Sequence, residues 1–455
     1  MKTNIDSNLR IIMSKEKRKF YLKLIYKWIK NNTSQIEIAL KNDLNKSQIE
    51  AYLSEIQIVL KEIRILLKSL NWAVKKHFVK NDISNPLTYF NKSFYRYEPV
   101  GKVFIIAPFN YPFHLVLMPL VGAIAAGNKA IIKASDKCFY TAQVLKDLVL
   151  NTELKNIVEY LEHDASVQKI NEVIESNIDL LFFTGSEQVG NILELKAKEN
   201  NVLSVMELGA ACPVYIDKKI NLKVAAKRII WAKAYNAGQT CISPNHFLVH
   251  EDVYDNLIKE LELQIKLQFG LDQVNSVDLA KIINKNEFNK ISRRFLEITN
   301  KKLISNESKN KIGITIFQAD LSSHKQFLNW EVFSPILPLF KVKNDQEAIE
   351  IFNKYNSSAL ASYVFSTDKK VINKFINNTN SGSLSINDLL IHISNSRLPF
   401  GGIKHSGHGR YRYKKSIESF SNIRSYYHSI SNLDFSARFS PYNSKKYNFI
   451  KRFMK

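Results

Sequence analysis

The sequence predicts an α/β protein built around a doubly wound parallel sheet, on three observations. From Val100 to about residue 204, an apolar strand, a turn and a helix recur four times. A second block of strand-like and helical runs extends from about Val205 to Asn387. The composition, 45% hydrophobic over 455 residues, is enough for a full core and two or three domains.

Taken in order, residues 8 to 75 read as helical. Ile49, Leu53, Ile56, Leu60, Ile63, Leu67, Leu70 and Val74 alternate four- and three-residue steps, which puts them on one helical face expected to pack in the core. Asn85-Pro86 breaks the helix. Thr88 to Glu98 mixes Tyr89, Phe94, Tyr95 and Tyr97 with polar residues and reads as strands of a hairpin or exposed ribbon. Val103 to Ala107 is a buried strand, and Pro108-Phe109-Asn110-Tyr111-Pro112 is a turn. Leu115 to Ala126 is the longest apolar stretch. It falls short of the roughly 20 residues that span a bilayer and contains Pro119 and Gly122, so it reads as a buried helix.

Ala130 to Lys133 is the second strand, followed by a helix from about Tyr140 to Val149. The third strand is Ile157 to Tyr160. The fourth is Leu180 to Phe183, ending in Thr184-Gly185-Ser186 with a helix after it. In the second block Val214–Ile216, Phe247–Val249, Ile336–Phe340 and Ala361–Phe365 are strand-like. The tail after about Ser436 is basic and aromatic. Tyr447, Ile450, Phe453 and Met454 fall near one face of a helix, with Lys445, Lys446, Lys451, Arg452 and Lys455 mostly around the rest. Such a helix can touch an anionic membrane surface. Packing on the protein or a dimer mate is the expectation, because the segment is short for a free-standing helix.

The formal charge is +23, from 65 Lys+Arg against 42 Asp+Glu. Lysine is spread along the whole chain, and neither zinc-finger spacing nor an RNP-type aromatic motif occurs, so no nucleic-acid partner is expected. Three cysteines, Cys138, Cys212 and Cys241, do not make a disulfide framework and suit a reducing compartment. With no signal-peptide pattern at the start, a cytoplasmic location is expected. His246 and His250 form an HxxxH across a strand without further ligands, so no metal site is expected.

The residues with chemical promise are few. Cys241, in Asn236-Ala237-Gly238-Gln239-Thr240-Cys241, and Glu207, in Met206-Glu207-Leu208-Gly209, are a thiol and a carboxylate with glycine nearby. A covalent thiol mechanism needs that pair: a nucleophile, and a base to activate the water that releases the acyl group. Asn110, in a turn flanked by prolines, suits an oxyanion donor. Gly185 and Ser186, with Gly190 in the following helix, end a strand and open a helix where a phosphate can sit. Lys133 ends its strand beside Ala134-Ser135-Asp136, where ribose hydroxyls can bind. Glu331 and Phe333 precede a turn at Pro335. Each has a plain structural reading by itself: a buried cysteine, a turn asparagine, a βα-turn glycine, a solvated lysine or acid.

In sequence order PFNYP, IIKASD, FTGS, MELG, NAGQTCISP, EVFSPILP and LPFGGIKHSGHGRY resemble the aldehyde dehydrogenase superfamily from about residue 8 to the end. NYPFHLVLMPLVGAIAAGN, the short N-terminus and INDLLIH before PFGG are similar to its class 3 branch of fatty and aromatic aldehyde dehydrogenases. The resemblance implies a Rossmann-type NAD(P)-binding domain over 1–80 and 99–204 and a catalytic domain over 205–387. It also implies a small β bridging or oligomerisation element over 81–98 and 388–430, and a basic tail over 431–455. Cys241 is then the nucleophile, Glu207 the general base and Asn110 the oxyanion donor. Lys133 would hold the adenosine ribose, and Ser186, with Gly185 and Gly190, would approach the pyrophosphate. Glu331 and Phe333 would position the nicotinamide ribose and ring.

The implied reaction is NAD- or NADP-dependent oxidation of a medium-chain, long-chain or aromatic aldehyde to the carboxylate, by a homodimer. The alternatives are an acylating relative that passes the acyl group to coenzyme A or another thiol, and an idle binding protein on the same scaffold. The sequence departs from the family pattern at Ala210 and Ala211, where Gly-Lys is usual, at Ala134, where proline is usual, and at Ser334, where glycine is usual.

Overall fold

A computed structural model describes residues 12–81, 91–176, 178–429, 432, 434 and 436–453. The chain opens with helices α1 (Lys15–Asn31) and α2 (Thr33–Leu44), then the short α3 (Gln48–Ala51), a π turn over Tyr52–Gln57, and α4 (Ile58–Val74). Ser14 caps α1, its hydroxyl accepting from the Lys17 N–H. The periodic face holds from Ile56 onward, where Ile56, Leu60, Ile63 and Leu70 are buried. It fails upstream: Ile49 is 74% exposed and Leu53 51%. The π turn is the reason, since its wider winding rotates the preceding turn out of register. The inward positions there belong to Glu50, Ala51, Ser54 and Glu55.

Strand β1 (His77–Val79) pairs antiparallel with β2 (Lys92–Pro99). The expected break at Asn85-Pro86 and the start of the expected ribbon lie outside the described residues. The ribbon has three strands rather than two, because β2 also pairs with a strand from the far end of the chain.

The first six-stranded sheet follows. β3 (Lys102–Ile106) leads to α5 (His114–Ala126), β4 (Lys129–Lys133) to α6 (Phe139–Leu150), and β5 (Val158–Leu161) to α7 (Val167–Glu175). β6 (Leu180–Gly185), α8 (Glu187–Glu199) and β7 (Leu203–Leu208) complete the run. Every residue of α5 is buried. Leu117 there is fully enclosed, and its truncation to alanine would cost about 2–5 kcal/mol. The parallel order β7-β6-β3-β4-β5 reverses direction between β3 and β6, and a crevice opens beyond the carboxyl ends of those strands.

β7 corrects the expected boundary at residue 205. Its partner is β6, in parallel register from Leu180↔Leu203 to Gly185↔Leu208, so Val205 to Leu208 belong to the first sheet. The second sheet starts at β8 (Cys212–Ile216). It continues through α9 (Leu222–Ala234), β9 (Pro244–His250), α10 (Tyr254–Phe269) and α11 (Lys285–Thr299). A small hairpin, β10 (Ser305–Asn306) and β11 (Lys311–Ile312), precedes β12 (Thr315–Ala319) and α12 (Gln326–Asn329). β13 (Ile336–Val342), α13 (Asp345–Tyr355), β14 (Ala359–Phe365), α14 (Lys369–Asn378) and β15 (Ser381–Ile386) close it, in the parallel order β12-β13-β9-β8-β14-β15.

The chain then returns. β16 (Gly407–His408) adds antiparallel to β7, and α15 (Lys414–Ser419) leads into β17 (Ser421–His428), the third strand of the ribbon. Helix α16 (Ser444–Phe453) forms in the tail, with Tyr447 and Ile450 of the expected apolar face exposed. The Phe453 side chain and Met454 lie outside the described residues.

Candidate active site

The loop between α9 and β9 carries Cys241. Asn236, Ala237 and Gly238 stand in succession at φ 52°, 51° and 72°, in the left-handed region. Asparagine and glycine take that conformation readily, whereas alanine pays roughly 1–2 kcal/mol. At Gly238 a Cβ would also lie 2.4 Å from the Ser334 carbonyl oxygen. The strain is held by buried bonds. The Gln239 side chain donates to the Lys281 carbonyl (2.9 Å) and accepts the Ile283 N–H (3.0 Å). The Tyr111 hydroxyl bonds the Thr240 hydroxyl at 2.6 Å. The Cys212 thiol faces the Cys241 carbonyl at 3.4 Å.

Asn110 follows β3 and reaches the same loop. Its Nδ2 donates one hydrogen to the Gln239 carbonyl at 3.0 Å, which leaves the second hydrogen of the amide uncommitted. Its carbonyl accepts from Lys46 Nζ (3.0 Å) and from Asn236 Nδ2 (2.8 Å). Asn110 and the Cys241 loop are therefore one rigid unit, although they come from different domains.

Glu207 lies on β7 with Gly407 of β16 opposite it. It is buried, and neither carboxylate oxygen has a hydrogen-bond partner among the described residues. Burial pushes its carboxyl well above the usual range, and the Arg410 guanidinium offsets part of that. Burial also pushes the half-buried Cys241 thiol up, with Glu331, Cys212 and Glu207 adding to the shift. The resting nucleophile is thus a thiol that must lose its proton before it attacks.

Glu331 sits against Gly209, where a Cβ would come within 2.3 Å of its carboxylate. Burial raises Glu331 to about 7, and Lys233 partly counters it. Lys233 is pulled down to about 7 by its own burial and donates to the Pro244 carbonyl at 2.7 Å. Phe333 takes φ 45° and meets Phe109 edge-on at 6.0 Å. Ala210 is outside the left-handed region, so alanine in place of glycine there imposes no backbone strain.

On the other side, Lys133 ends β4 and donates to the His163 carbonyl at 2.8 Å. Burial lowers it, and Asp136 and Asp164 counter the shift. Ser186 caps α8 by accepting from the Val189 N–H, leaving the first amides of that helix directed outward.

Asn110, Lys133, Gly185, Ser186, Glu207, Cys241, Glu331 and Phe333 all line one cleft of about 1410 Å³. Gly190 does not. It lies in α8, where a Cβ would meet Leu208 at 2.4 Å, so it sets how closely helix and strand pack. Sequence reading passed over Lys233, Arg410 and the basic wall that Lys290, Arg293 and Arg294 of α11 give the cleft. The run Arg293-Arg294 was visible, but nothing in the sequence shows which face of α11 meets the cleft.

Residues 12–426 match the family model described as the aldehyde dehydrogenase family. The chain is 38% identical over 444 residues to 4,4'-diaponeurosporen-aldehyde dehydrogenase of Staphylococcus aureus, covering 96% of this chain and 94% of that protein. It is 34% identical over 409 residues to the dimeric NADP-preferring aldehyde dehydrogenase of Rattus norvegicus, covering 89% and 88%. Among solved structures, a substrate-bound state of Staphylococcus aureus AldH superposes with a TM-score of 0.92 at 37% identity, covering 98% of this chain and 97% of that one. The NADP complex of a glyceraldehyde-3-phosphate dehydrogenase from Methanocaldococcus jannaschii follows at 0.80 and 26%, covering 92% and 90%.

Proposed function

The chain belongs to the aldehyde dehydrogenase family, and from that premise we propose how this cleft oxidises an aldehyde to its acid with NAD(P). The proposal rests on one observation above the rest: Cys241, Glu207 and Asn110 share the cleft, and both Glu207 oxygens lack a partner among the described residues, leaving them for a water. Cys241 passes its proton to water of the open cleft and its sulfur attacks the aldehyde carbon, forming a thiohemiacetal. The uncommitted Asn110 N–H and the Cys241 N–H receive the negative oxygen. The nicotinamide, when bound, supplies the acceptor for the hydride that leaves this carbon. A thioester on Cys241 remains. Glu207 takes a proton from water, the hydroxide attacks the thioester, and the acid departs as Cys241 is restored.

The residues fit a dinucleotide. The cleft is large enough, the α8 amides and the α11 cations suit its phosphates, and Lys133 with Asp136 suits a ribose. Gly209 leaves the space that the Glu331 carboxylate occupies beside the nicotinamide end.

The substrate class is an apolar aldehyde, medium- or long-chain or aromatic. The class 3-like motifs and the relative named for 4,4'-diaponeurosporen-aldehyde support this, as do Leu115, Trp330, Val332 and Phe333 in the cleft wall. The acylating alternative is disfavoured by Glu207, a base that transfer to a thiol does not need. Initial rates of NADH and NADPH formation over an aldehyde chain-length series, with and without coenzyme A, test both points. Acid formation independent of coenzyme A supports the reading, and strict dependence on it overturns it.

The protein acts as a homodimer in the cytoplasm. A relative described as dimeric and the exposed Phe78, Ile423 and Tyr427 on the ribbon support the dimer. Sedimentation as a monomer at micromolar concentration would refute it. Among the described residues no helix is long and apolar enough to cross a membrane, and the basic α16 is available for weak contact with an anionic surface.

A further inference from the structure

Glu50 lies on α3, does not line the cleft, and takes no part in the steps above. Its surroundings are nevertheless those of the catalytic loop. Glu50 Oε1 accepts the Asn236 N–H at 2.7 Å, and Asn236 is the first of the three left-handed residues before Cys241. The Asn236 side chain then donates to the Asn110 carbonyl (2.8 Å) and the Gln239 carbonyl (3.0 Å). Asn110 Nδ2 closes the ring on that same Gln239 oxygen. Lys46 grips the other side, donating to the Asn110 carbonyl and to Glu55 Oε1 (2.5 Å), while Glu55 Oε2 accepts the Phe113 and His114 N–H groups.

We propose that Glu50 is a positioning residue that sets the register between Cys241 and the Asn110 amide, acting through Asn236. This rests on Cys241 and Asn110 having the roles given above. A left-handed turn is costly, so it persists only where surrounding bonds over-determine it. The backbone N–H of Asn236 is the anchor of that turn, and Glu50 is the acceptor that meets it. The π turn supplies the placement: by rotating α3 out of the register of α4 it points Glu50 inward and Ile49 out.

The ionisation of Glu50 fits this role. Burial raises its carboxyl to about 7. Lys46 and the Asn236 N–H lower it, while Glu55 and Asp278 raise it, and the Tyr111 and Tyr235 phenols stand near it. As a carboxylate it makes a charge-assisted bond to Asn236, stronger than the bond a protonated acid makes. The anchor therefore tightens as the pH rises through neutrality.

The test is stopped-flow reduction of NAD(P) in a single turnover, with full-length Glu50→Ala and Glu50→Gln. Glu50→Ala leaves the Asn236 N–H buried without an acceptor and is expected to slow the burst about 10-fold or more, since small misplacements at a reacting centre are that costly. Cofactor affinity should not change. Glu50→Gln keeps an oxygen acceptor without a charge. Its burst should stay within about threefold of wild type at pH 8 and lose the dependence on pH near 7. Asp217→Ala is the control for general loosening. Asp217 is buried at the carboxyl end of β8, where it accepts from the Ser366 hydroxyl at 2.6 Å. A wild-type burst in Glu50→Ala overturns the proposal, and so does an equal loss in Asp217→Ala. A burst that survives Cys241→Ala instead overturns the roles on which the proposal rests.

Discussion

Replacing Glu207 with glutamine tests the division of labour in the cleft. The side chain keeps its shape and loses its basicity. Both oxygens of Glu207 are buried without partners among the described residues, so the change breaks no hydrogen bond there. What it removes is a general base, worth roughly 10²–10⁴-fold on the step that activates water. Hydride loss from the thiohemiacetal needs no such base. Stopped-flow traces should therefore show a full NAD(P)H burst, followed by a steady state slower by that factor. The pH dependence carries a second signature. Burial holds the Glu207 carboxyl well above its ordinary 4.5, so the ionised fraction, and with it thioester hydrolysis in the wild type, climbs as the pH rises toward the shifted value. Glu207→Gln should lose that climb.

Stability runs the opposite way. A carboxyl raised on folding contributes stability that is complete below 4.5 and lost as the pH rises through its folded value. The always-neutral glutamine escapes that loss, so the Tm of Glu207→Gln should exceed wild type by more at pH 9 than at pH 6. If burst and steady state fall together, and the variant keeps the wild-type pH slope, then Glu207 is not the hydrolytic base.

Cys241→Ala should lower turnover by several orders of magnitude while cofactor binding, followed by fluorescence titration, is retained; Cys212→Ala should leave turnover largely intact. Gly209→Ala places a Cβ 2.3 Å from the end of the Glu331 side chain. That end can swing away, so a changed NAD(P) KM is expected without a drop in Tm. Gly190→Ala meets Leu208 at 2.4 Å, forces α8 off β7, and should lower the Tm by an amount matching an overpacking cost of about 1–3 kcal/mol. Truncation after Tyr442 removes Lys445, Lys446, Lys451, Arg452 and Lys455. If α16 touches anionic lipid, co-sedimentation with phosphatidylserine vesicles at low salt should fall, and unchanged binding would dismiss the tail as an anchor.

Much of the fold was legible because its signals are local. An apolar run, a glycine or proline turn and a helix can each be read within about a dozen residues, and the first sheet repeats that unit four times. The misplaced boundary at residue 205 has a physical cause. Glu207 and Cys241 were read as parts of one catalytic block, but β7 is chosen by pairing with β6, and pairing partners leave little trace in a single strand. The ribbon shows the same limit: β17 lies hundreds of residues from β2, and no short-range pattern announces it. Periodicity failed at Ile49 and Leu53 because a helical template assumes constant winding, which the π turn breaks.

The candidate site divides along the same line. Cys241, Glu207 and Asn110, each ordinary by itself, stood out because NAGQTC, MELG and PFNYP occur together and in order with the other motifs of the chain. The groups that govern their ionisation and aim did not. Lys233, Arg410 and Glu50 are ordinary members of a chain with 65 Lys+Arg and 42 Asp+Glu; burial distinguishes Lys233 and Glu50, and nearness to Glu207 distinguishes the half-buried Arg410. Burial is a property of packing. The Asn236 N–H finds Glu50 across 186 positions, and Asn110 finds Gln239 across 129. The chemistry of this cleft is therefore written in short motifs, while its electrostatics and geometry are set by contacts between segments that the sequence keeps far apart. That is why a variant such as Glu50→Ala, outside every motif, is the sharper probe of how the site is held.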